Sequence, residues 1–499
     1  MKKLSIMMAA LLVAMTGCLK EPQVTPEAES NAKAYVSLKI NLPSEIGTRA
    51  ESTFDDGIGK EFDVENVTLV FFNESNKVVF TKVETPAPWS GDANTKDNIT
   101  TTAQTAAIDV TGKNVKSVLV LVNNVLENSK IADENKYDQV NAALENIDAD
   151  DLTGSGNAFF MSNAPYINGS EIVTLVDVTT FDTAAKALEK PATVKVERAV
   201  AKIEMGTAKD TEKDVKNSAD EIIGTFKMAG WMLDNTNTTT YPVRVCDYST
   251  WKDGSNWLNG GFYYETGSKR IHFAVDPNYD EEATNLETTT TFSAETESVA
   301  YCLENTFTTS YQKDPNTTRV IIQAVYTPKD FTSGETWFRV GSAQIAYKKA
   351  DFIALLKANS EAEDSAIETA VAAYKAGVVD FSPLDASLST TLGDVLCYEN
   401  GLCYYEVLIR HFTDEELGYD TSGANSFNTK YTGTYVPSDI GRYSVVRNNW
   451  YKLTVNTVSQ VGTPTVPPLD NVNDDVKNQY LSCKIEILAW AIRNQSVDL

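Results

Sequence analysis

Hydrophobic and polar residues alternate along this chain in short runs that are rich in Val, Ile, Tyr, Phe and Thr and end at clusters of Asn, Asp, Gly or Ser. Because side chains of a strand point alternately to its two faces, such runs predict β-strands. Loops rather than regular helices separate most of them, so we predict a mainly β protein built of β-sandwiches rather than a parallel α/β sheet. The runs are AYVSLKINL, VTLVFFN, KVVFTKV, VKSVLVLVNN, ATVKVERAVAKIEM, RVIIQAVYTP, WFRVGSAQIAY, CYYEVLIRHF, YSVVRNNWYKLTVNTV and SCKIEILAWAI.

Two stretches follow the helical period instead. In ENKYDQVNAALENI, Tyr137, Val140, Leu144 and Ile147 would form one apolar stripe of a short helix. Residues 351–376 are rich in Ala and Leu and stop at a glycine, which predicts a second helical region. We expect both to pack over a sheet.

Two polar stretches predict boundaries within the chain. TAKDTEKDVKNSADE follows VERAVAKIEMG and is charged, which is typical of a connection between domains. SQVGTPTVPPLDNVNDDVKNQ holds three prolines and should be extended and solvated. We therefore predict an N-terminal sandwich over residues 50–206, a C-terminal sandwich over 207–458, a linker over 459–479 and a terminal strand segment over 480–499.

The chain ends in strand-like sequence. In YLSCKIEILAWAIRNQSVDL, residues 480–499, apolar side chains alternate with Ser482, Lys484 and Glu486, which predicts a strand. After a change of phase near Leu488 the sequence continues without a turn signal or a glycine. The end of the chain therefore offers material for β-pairing rather than a fraying tail.

The first eighteen residues, MKKLSIMMAALLVAMTGC, predict an export signal. Two lysines precede an apolar run that is too short to span a bilayer, and small residues come directly before Cys18. This ending resembles the lipobox that bacterial signal peptidases cut just before a lipid-modified cysteine, although an ordinary signal peptide that ends in cysteine is the alternative. The polar stretch LKEPQVTPEAESNAK then reads as a tether, so we expect the mature chain outside the inner membrane.

Composition narrows the functional classes. The chain has 499 residues, of which 42% are hydrophobic, enough for two to four domains with true cores. Its 43 basic and 69 acidic residues give a net charge of -26. Because polyanions repel such a surface, we expect no nucleic-acid partner and no membrane contact except through the precursor's lipid.

Five cysteines follow Cys18, so at least one stays free if the others pair in an oxidising compartment. In VLCYENGLCYY, the triplet Glu399, Asn400 and Gly401 suits a hairpin loop that would set Cys397 opposite Cys403. A cross-strand disulfide is one interpretation and two buried free thiols the other, since a one-residue change of register would separate the sulfurs.

Candidate catalytic chemistry is sparse. The two histidines, His272 and His411, both lie in strand-like sequence, and no phosphate-binding loop, dinucleotide fingerprint or nucleophile elbow is present. We therefore expect no enzyme, no metal and no cofactor. Trp251 and Trp257 in STWKDGSNWLNGGFYY could form a sugar-stacking platform, with core packing as the alternative reading.

Several segments together resemble the fimbrillin family of Bacteroidales, the lipoprotein pilins of the FimA and Mfa type. They are the lipobox at Cys18, AKAYVSLKI, GTRAES, KSVLVLVNN, VKVERAVAKIEM, VVRNNWYKLTVNTV and ILAWAIRNQSVDL, in family order over nearly the full length. VVRNN and the ending VDL are most similar to the stalk subunits of short, Mfa-type fimbriae.

The resemblance implies two β-sandwich domains of the transthyretin-like, Greek-key kind and export as a lipidated outer-membrane precursor. An arginine-specific surface protease would cut the loop after the first strand, and the C-terminal segment of another copy would fill the vacated groove as a donor strand. Repeated head to tail, this exchange gives a cell-surface fimbria active in adhesion and biofilm formation. Accessory and anchor fimbrial subunits and a host or bacterial adhesion ligand are the further implied partners.

Carried onto this sequence, the resemblance implies processing after Arg49, with Ala50 as the new N-terminus and residues 19–49 removed on maturation. Arg49 is the first arginine of the chain, and Arg198 is the next. A tip or accessory adhesin and a glycan-binding surface lipoprotein are the alternatives. The implied displaced face consists of Ala34, Val36, Leu38, Ile40 and Leu42, and the implied donor residues are Trp490, Ile492, Val497 and Leu499.

Overall fold

A computed structural model describes residues 33–41, 61, 63–84, 102–153, 158–169, 171–247, 249–254, 256–262, 271–341, 345–413, 416–417, 434–476, 481–488 and 493–495. Over these residues the chain is mainly β with a few short helices, which confirms the predicted fold class at that level. No helix among them is long and apolar enough to cross a membrane.

The first half of the chain is described by its strands and helices in order. The strands are β1 Tyr35–Val36, β2 Leu38–Asn41, β3 Val67–Phe72, β4 Val78–Glu84, β5 Thr102–Gln104, β6 Ile108–Asp109, β7 Ser117–Val122, β8 Leu144–Glu145, β9 Met161–Asn163, β10 Tyr166–Asn168, β11 Glu171–Val173, β12 Val176–Asp177 and β13 Ala192–Arg198. The helices are α1 Tyr137–Val140, α2 Ala149–Thr153 and α3 Ala184–Glu189.

The remaining elements follow the same numbering. The strands are β14 Ala201–Met205, β15 Glu212–Lys216, β16 Ile222–Asp234, β17 Thr236–Asn237, β18 Thr239–Thr240, β19 Lys252–Asp253, β20 Asn256–Trp257, β21 Leu286–Glu287, β22 Val299–Cys302, β23 Arg319–Pro328, β24 Trp337–Val340, β25 Ile345–Lys348, β26 Gly377–Val378, β27 Val395–Tyr398, β28 Leu402–Leu408, β29 Trp450–Val458, β30 Leu481–Leu488 and β31 Arg493–Gln495. The helices are α4 Lys349–Asn359, α5 Asp364–Ala373 and α6 Leu388–Leu392.

The largest sheet, here the first sheet, has the strand order β4-β3-β7-β9-β13-β2-β5, with β12 also paired to β7. All six residues of β3 and all six of β7 are buried, so both faces of the sheet are covered in its middle. This explains why VTLVFF and SVLVLV are nearly continuous apolar runs instead of alternating ones. Their side chains form one core together with those of β2 and β13.

Three further sheets follow the first. The second sheet has the order β22-β14-β29-β30-β31, and the third has the order β15-β16-β23-β28. One apolar core contains residues of both, among them Tyr451 of the second sheet and Ile322 and Tyr405 of the third. The fourth sheet, β25-β24-β27-β26, is covered by α4 and α5 through Phe352 and Ile367.

The predicted strand ATVKVERAVAKIEM is two strands that belong to different sheets. β13 lies in the first sheet and β14 in the second, with residues 199–200 between them. The charged stretch after β14 is no free linker, because β15 pairs with β16 and buries Val215. The domain boundary after residue 206 stays a prediction, while the chain changes sheets several residues before it.

The predicted C-terminal linker packs more closely than its composition indicates. It is mostly irregular over 459–476, but Thr463 pairs with Tyr404 through the backbone and Asp474 is buried. β30 confirms the predicted strand, whereas the expectation of a turnless end is wrong. β31 runs antiparallel to β30 with Arg493 opposite Ile487, so the chain reverses direction between these strands.

The first predicted helix is much shorter than its stripe. α1 ends at Val140, and Leu144 begins β8. Asn141 ends the helix because its buried amide bonds to the backbone of Val243, donating to the carbonyl at 3.0 Å and accepting from the N–H at 2.7 Å. The second helical region is confirmed, as the helix pair α4 and α5, and its closing glycine lies in β26.

The predicted pairing of Cys397 with Cys403 is wrong. The loop between them is present, but Cys397 lies opposite Phe338 in the fourth sheet and Cys403 opposite Ala324 in the third. The strands diverge because each finds its partner in a different sheet, and both thiols are buried and free. Burial raises the pKa of Cys397 to about 11 and that of Cys403 to about 12.

Candidate functional site

The candidate site is formed by β1 and β2. Their apolar face is buried, and the strands they pair with lie far from them in the sequence. Val36, Leu38 and Ile40 are 1%, 0% and 2% exposed and belong to the core of the first sheet. Ala34 is half-buried and packs against the same core. Leu42, the last residue of the face implied by the family resemblance, lies outside the described residues.

β2 is an inner strand with a neighbour on each side. It runs parallel to β13, with Ile40 opposite Val194, and antiparallel to β5, with Ile40 opposite Ala103. The Ala192 N–H donates to the Ser37 carbonyl at 2.9 Å. Because both edges of β2 are paired, its departure would leave two strand edges without partners.

Long-range bonds also fasten the stretch at its ends. Tyr35 and Phe181 exchange backbone hydrogen bonds of 2.8 and 2.9 Å. Near the other end, the Thr105 N–H donates to the Leu38 carbonyl at 2.9 Å, while the Thr105 hydroxyl accepts from the Leu38 N–H at 3.0 Å. The partners lie roughly 70 to 150 residues away in sequence, so this segment is held by distant parts of the chain.

Burial of the apolar face contributes a large favourable free energy to holding the strand. Transferring a Val, Leu or Ile side chain from water into a core is worth about 1.5–3 kcal/mol, so Val36, Leu38 and Ile40 together contribute roughly 5–9 kcal/mol. A first sheet without β2 would expose the matching apolar lining, including Val194, to water. Such a groove has a strong tendency to take up another apolar strand.

The C-terminal segment forms the open end of the second sheet. β30 pairs antiparallel with β29 along its whole length, from Trp450 opposite Leu488 to Val458 opposite Leu481. β31 pairs with β30 at three positions only, and in the part of the chain that the structure describes it is the last strand of this sheet. The family-implied donor residues Trp490, Ile492, Val497 and Leu499 lie outside the described residues, as do Cys18, Arg49 and Ala50.

Between the first and second sheets lies a buried polar seam that the sequence interpretation missed. It consists of two ion pairs, Glu197 with Arg244 at 2.7 Å and Glu304 with Arg447 at 3.3 Å, whose four side chains are at most 1% exposed. The Arg447 guanidinium also donates to the Tyr241 carbonyl at 2.8 Å. The signal in the sequence is VVRNN, a polar triplet that follows two valines inside the run predicted as a strand.

The other candidate residues serve the core. Trp251 is fully buried, stacks on Phe262 with 5.2 Å between ring centroids and donates to the Tyr279 hydroxyl at 3.1 Å. The sugar-platform reading is therefore wrong for Trp251. His411 is fully buried, with its ring nitrogens 2.8 Å from the Tyr451 hydroxyl and 2.9 Å from the His272 carbonyl. The described residues contain no group of three or more His, Cys, Asp or Glu arranged to hold a metal ion.

Residues 397–496 match the family model described as major fimbrial subunit protein type IV, fimbrillin, C-terminal. The matched segment is about a fifth of the chain and contains β28, β29, β30 and β31. No curated protein sequence matches the chain.

Solved structures described as adhesion or fimbrial proteins are similar over most of the chain at low identity. A putative cell adhesion protein from Parabacteroides distasonis is 12% identical, with 92% of this chain and 97% of that chain covered and a TM-score of 0.41. For a fimbrilin (fimA) from Porphyromonas gingivalis the values are 14%, 94%, 99% and 0.37. For the tip fimbrial protein Mfa3 from the same organism they are 11%, 91%, 99% and 0.33.

Proposed function

We propose that this protein is a structural subunit of a cell-surface fimbria, a member of the Bacteroidales fimbrillin family that polymerises by protease-triggered strand exchange. The observation that carries the proposal is the inner strand β2, which is paired on both edges, with β13 and β5, and buries its apolar face ahead of the lone arginine Arg49. The family-model match over residues 397–496 supports the family. The chain would be a stalk subunit, lipidated at Cys18 as a precursor and active in adhesion and biofilm formation.

Processing would occur once, after Arg49, and leave Ala50 as the new N-terminus. The burial of the next arginine supports this selectivity. Arg198 is 0% exposed, and its guanidinium donates to the Glu61 carbonyl. A protease that needs an extended, accessible arginine would therefore be hindered at Arg198 in the folded chain.

The cut strand would leave the first sheet, and the C-terminal segment of another copy would take its place. The proposed donor is the last nine or ten residues, with Trp490, Ile492, Val497 and Leu499. We propose that β30 stays behind, because β31 is paired at three positions whereas β30 is paired along its whole length. The shorter ladder breaks at a lower free-energy cost.

Head-to-tail repetition of this contact gives an open filament, since each subunit donates a segment at one end and accepts one at the other. The chain would form two transthyretin-like β-sandwich domains, with the groove in the N-terminal one. Accessory and anchor fimbrial subunits would join through the same contact. The net charge of -26 disfavours side-by-side association of copies.

One digestion tests the proposal. Residues 19–499 are treated with a limiting amount of an arginine-specific protease, then followed by mass spectrometry and electron microscopy. We expect the first cut after Arg49 and filaments or an SDS-resistant ladder, and neither from a variant that lacks residues 490–499. Arg49→Ala is the control that stays uncut. Monomers that persist after clean cleavage would refute the stalk-subunit proposal.

Two disulfide locks test which strand moves. Lys452→Cys with Glu486→Cys joins opposite positions of β29 and β30, and Glu486→Cys with Asn494→Cys joins opposite positions of β30 and β31. We expect the first lock to leave polymerisation intact and the second to block it until a reductant is added. The reverse pattern would show that β30 belongs to the donor.

A tip or accessory adhesin is the second candidate. A tip subunit accepts a donor but needs no donor segment of its own. The two roles separate when the variant that lacks residues 490–499 is mixed, after cleavage, with the full-length chain. If this protein is a stalk subunit, the truncated variant caps the filaments and shortens them in proportion to its share of the mixture.

A further inference from the structure

Glu61, in the chain just after the proposed processing loop, is held in a closed pocket. It is 1% exposed, and its carboxylate lies 2.7 Å from the Lys202 ammonium. The Tyr301 hydroxyl donates to the same oxygen at 2.7 Å. Its backbone carbonyl accepts from Nε and a terminal nitrogen of Arg198 at 3.1 and 3.0 Å.

These partners come from two sheets. Arg198 is the last residue of β13 in the first sheet, while Lys202 in β14 and Tyr301 in β22 belong to the second. The Lys202 ammonium also lies 3.8 Å from the ring centroid of Trp450 in β29. The pocket is therefore built by both sheets, with the Trp450 ring beside the Lys202 ammonium. Removing one charge of the ion pair would leave the other charge buried without its partner.

The chain stays fastened from Glu61 to the start of β3. The Asn123 amide donates to the Asp63 carbonyl at 2.7 Å and accepts from the Glu65 N–H at 2.7 Å. The Asn123 N–H donates to the Asn66 carbonyl at 2.9 Å. Beyond Glu61, therefore, three further hydrogen bonds hold residues 63, 65 and 66 to Asn123.

We propose that Glu61 is the anchor at which the chain that follows the processing loop is fixed to the folded protein. In a chain cut after Arg49, residues 50–60 stay joined to the folded protein through Glu61. The inference rests on the proposed function for the cut at Arg49. The next basic residue is Lys60, and we expect the contacts that hold Glu61 to slow cleavage of the bond between the two residues.

The test measures cleavage after Lys60 and needs no filament. The precursor, residues 19–499, is cut at Arg49 and then exposed to a lysine-specific protease, with the new N-terminus read by mass spectrometry. We expect the wild-type chain to keep Ala50 as its N-terminus. Glu61→Gln removes the charge that pairs with Lys202, so cleavage after Lys60 should become about tenfold faster or more. Glu74→Gln, at an exposed position in the turn after β3, is the matched control and should behave as wild type.

Two further variants keep the test decisive. Tyr301→Phe removes one hydrogen bond to Glu61 and should accelerate the cut by a smaller factor. Glu61→Gln with Lys202→Met removes both charges, so it avoids an unpaired buried ammonium while still freeing the chain. Wild-type cleavage after Lys60 as fast as after Arg49, or unchanged rates in all three variants, would overturn the inference. Protection of Lys60 in a chain that forms no filaments would support it and count against the proposed function alone.

Discussion

Replacing Leu38 by alanine should destabilise the precursor and leave the filament unchanged. Leu38 is 0% exposed in β2, in the core of the first sheet. Truncating a fully buried leucine costs about 2–5 kcal/mol of unfolding free energy, and we expect about 3 kcal/mol here. For a cooperative unit of 150–250 residues, this lowers the melting temperature by roughly 6–12 °C. If β2 departs on polymerisation, the filament no longer contains the altered side chain.

The assay compares melting of the uncut precursor with melting of assembled filaments. The matched control is Val194→Ala in β13, a fully buried position opposite Ile40 that remains in both states. It should lower the stability of both states by about 2 kcal/mol, since it removes two buried methyl-sized groups. Leu38→Ala filaments that melt as far below wild type as their precursor would refute the reasoning, because the first strand would still be in place.

Three further predictions concern buried groups. Burial raises the pKa of Asp474 well above its ordinary value, so its ionised form increasingly destabilises the folded state as the pH rises above about 3.9. Asp474→Asn should therefore raise the melting temperature at neutral pH, and this gain should shrink as the pH falls towards about 4. Cys397 and Cys403 should resist alkylation in the native protein and react fully after denaturation without reductant, as site-resolved mass spectrometry would record, whereas a disulfide would leave both unlabelled. Arg447→Ala should lower the free energy of unfolding by about 3–5 kcal/mol in a denaturant titration because it leaves Glu304 buried and unpaired, and Glu304→Gln in the same chain should recover part of the loss; two additive losses would contradict the ion-pair account.

Sequence periodicity predicted the strands whose burial follows from their own residues alone. The alternation in AYVSLKINL identified the face formed by Val36, Leu38 and Ile40, because period two translates directly into sheet faces. The runs that became β3 and β7 were equally clear from their length and apolar content. These features depend only on residues within the strand itself.

The features that sequence reasoning missed depend on distant partners. A continuous apolar pattern gave no sign that the chain leaves one sheet after Arg198 and enters another at Ala201. There the Arg198 N–H bonds to the Asn448 side chain, which is 250 residues away. The charged stretch around Val215 looked like a linker because one buried valine is a weak signal in a polar segment. Cys397 and Cys403 were set opposite one another by a local turn rule that sheet pairing overrode.

The sequence alone therefore predicted only part of the candidate site. The buried face of the first strand follows from its sequence, while the strands that enclose it come from residues 102–104 and 192–198 and needed the fold. The Glu61 pocket had no sequence signal at all, since a lone glutamate in a polar loop is ordinary. Its partners Arg198, Lys202 and Tyr301 meet only where the first two sheets join.

The most direct test of strand exchange is the identity of the strand beside β13 in filaments grown from protein cut once after Arg49. A cryo-electron microscopy map at side-chain detail would read that sequence between β13 and β5. We expect residues from the 490–499 segment of a neighbouring copy, with Trp490 as the landmark side chain. Density for Val36, Leu38 and Ile40 of the same copy in that place would contradict the proposal.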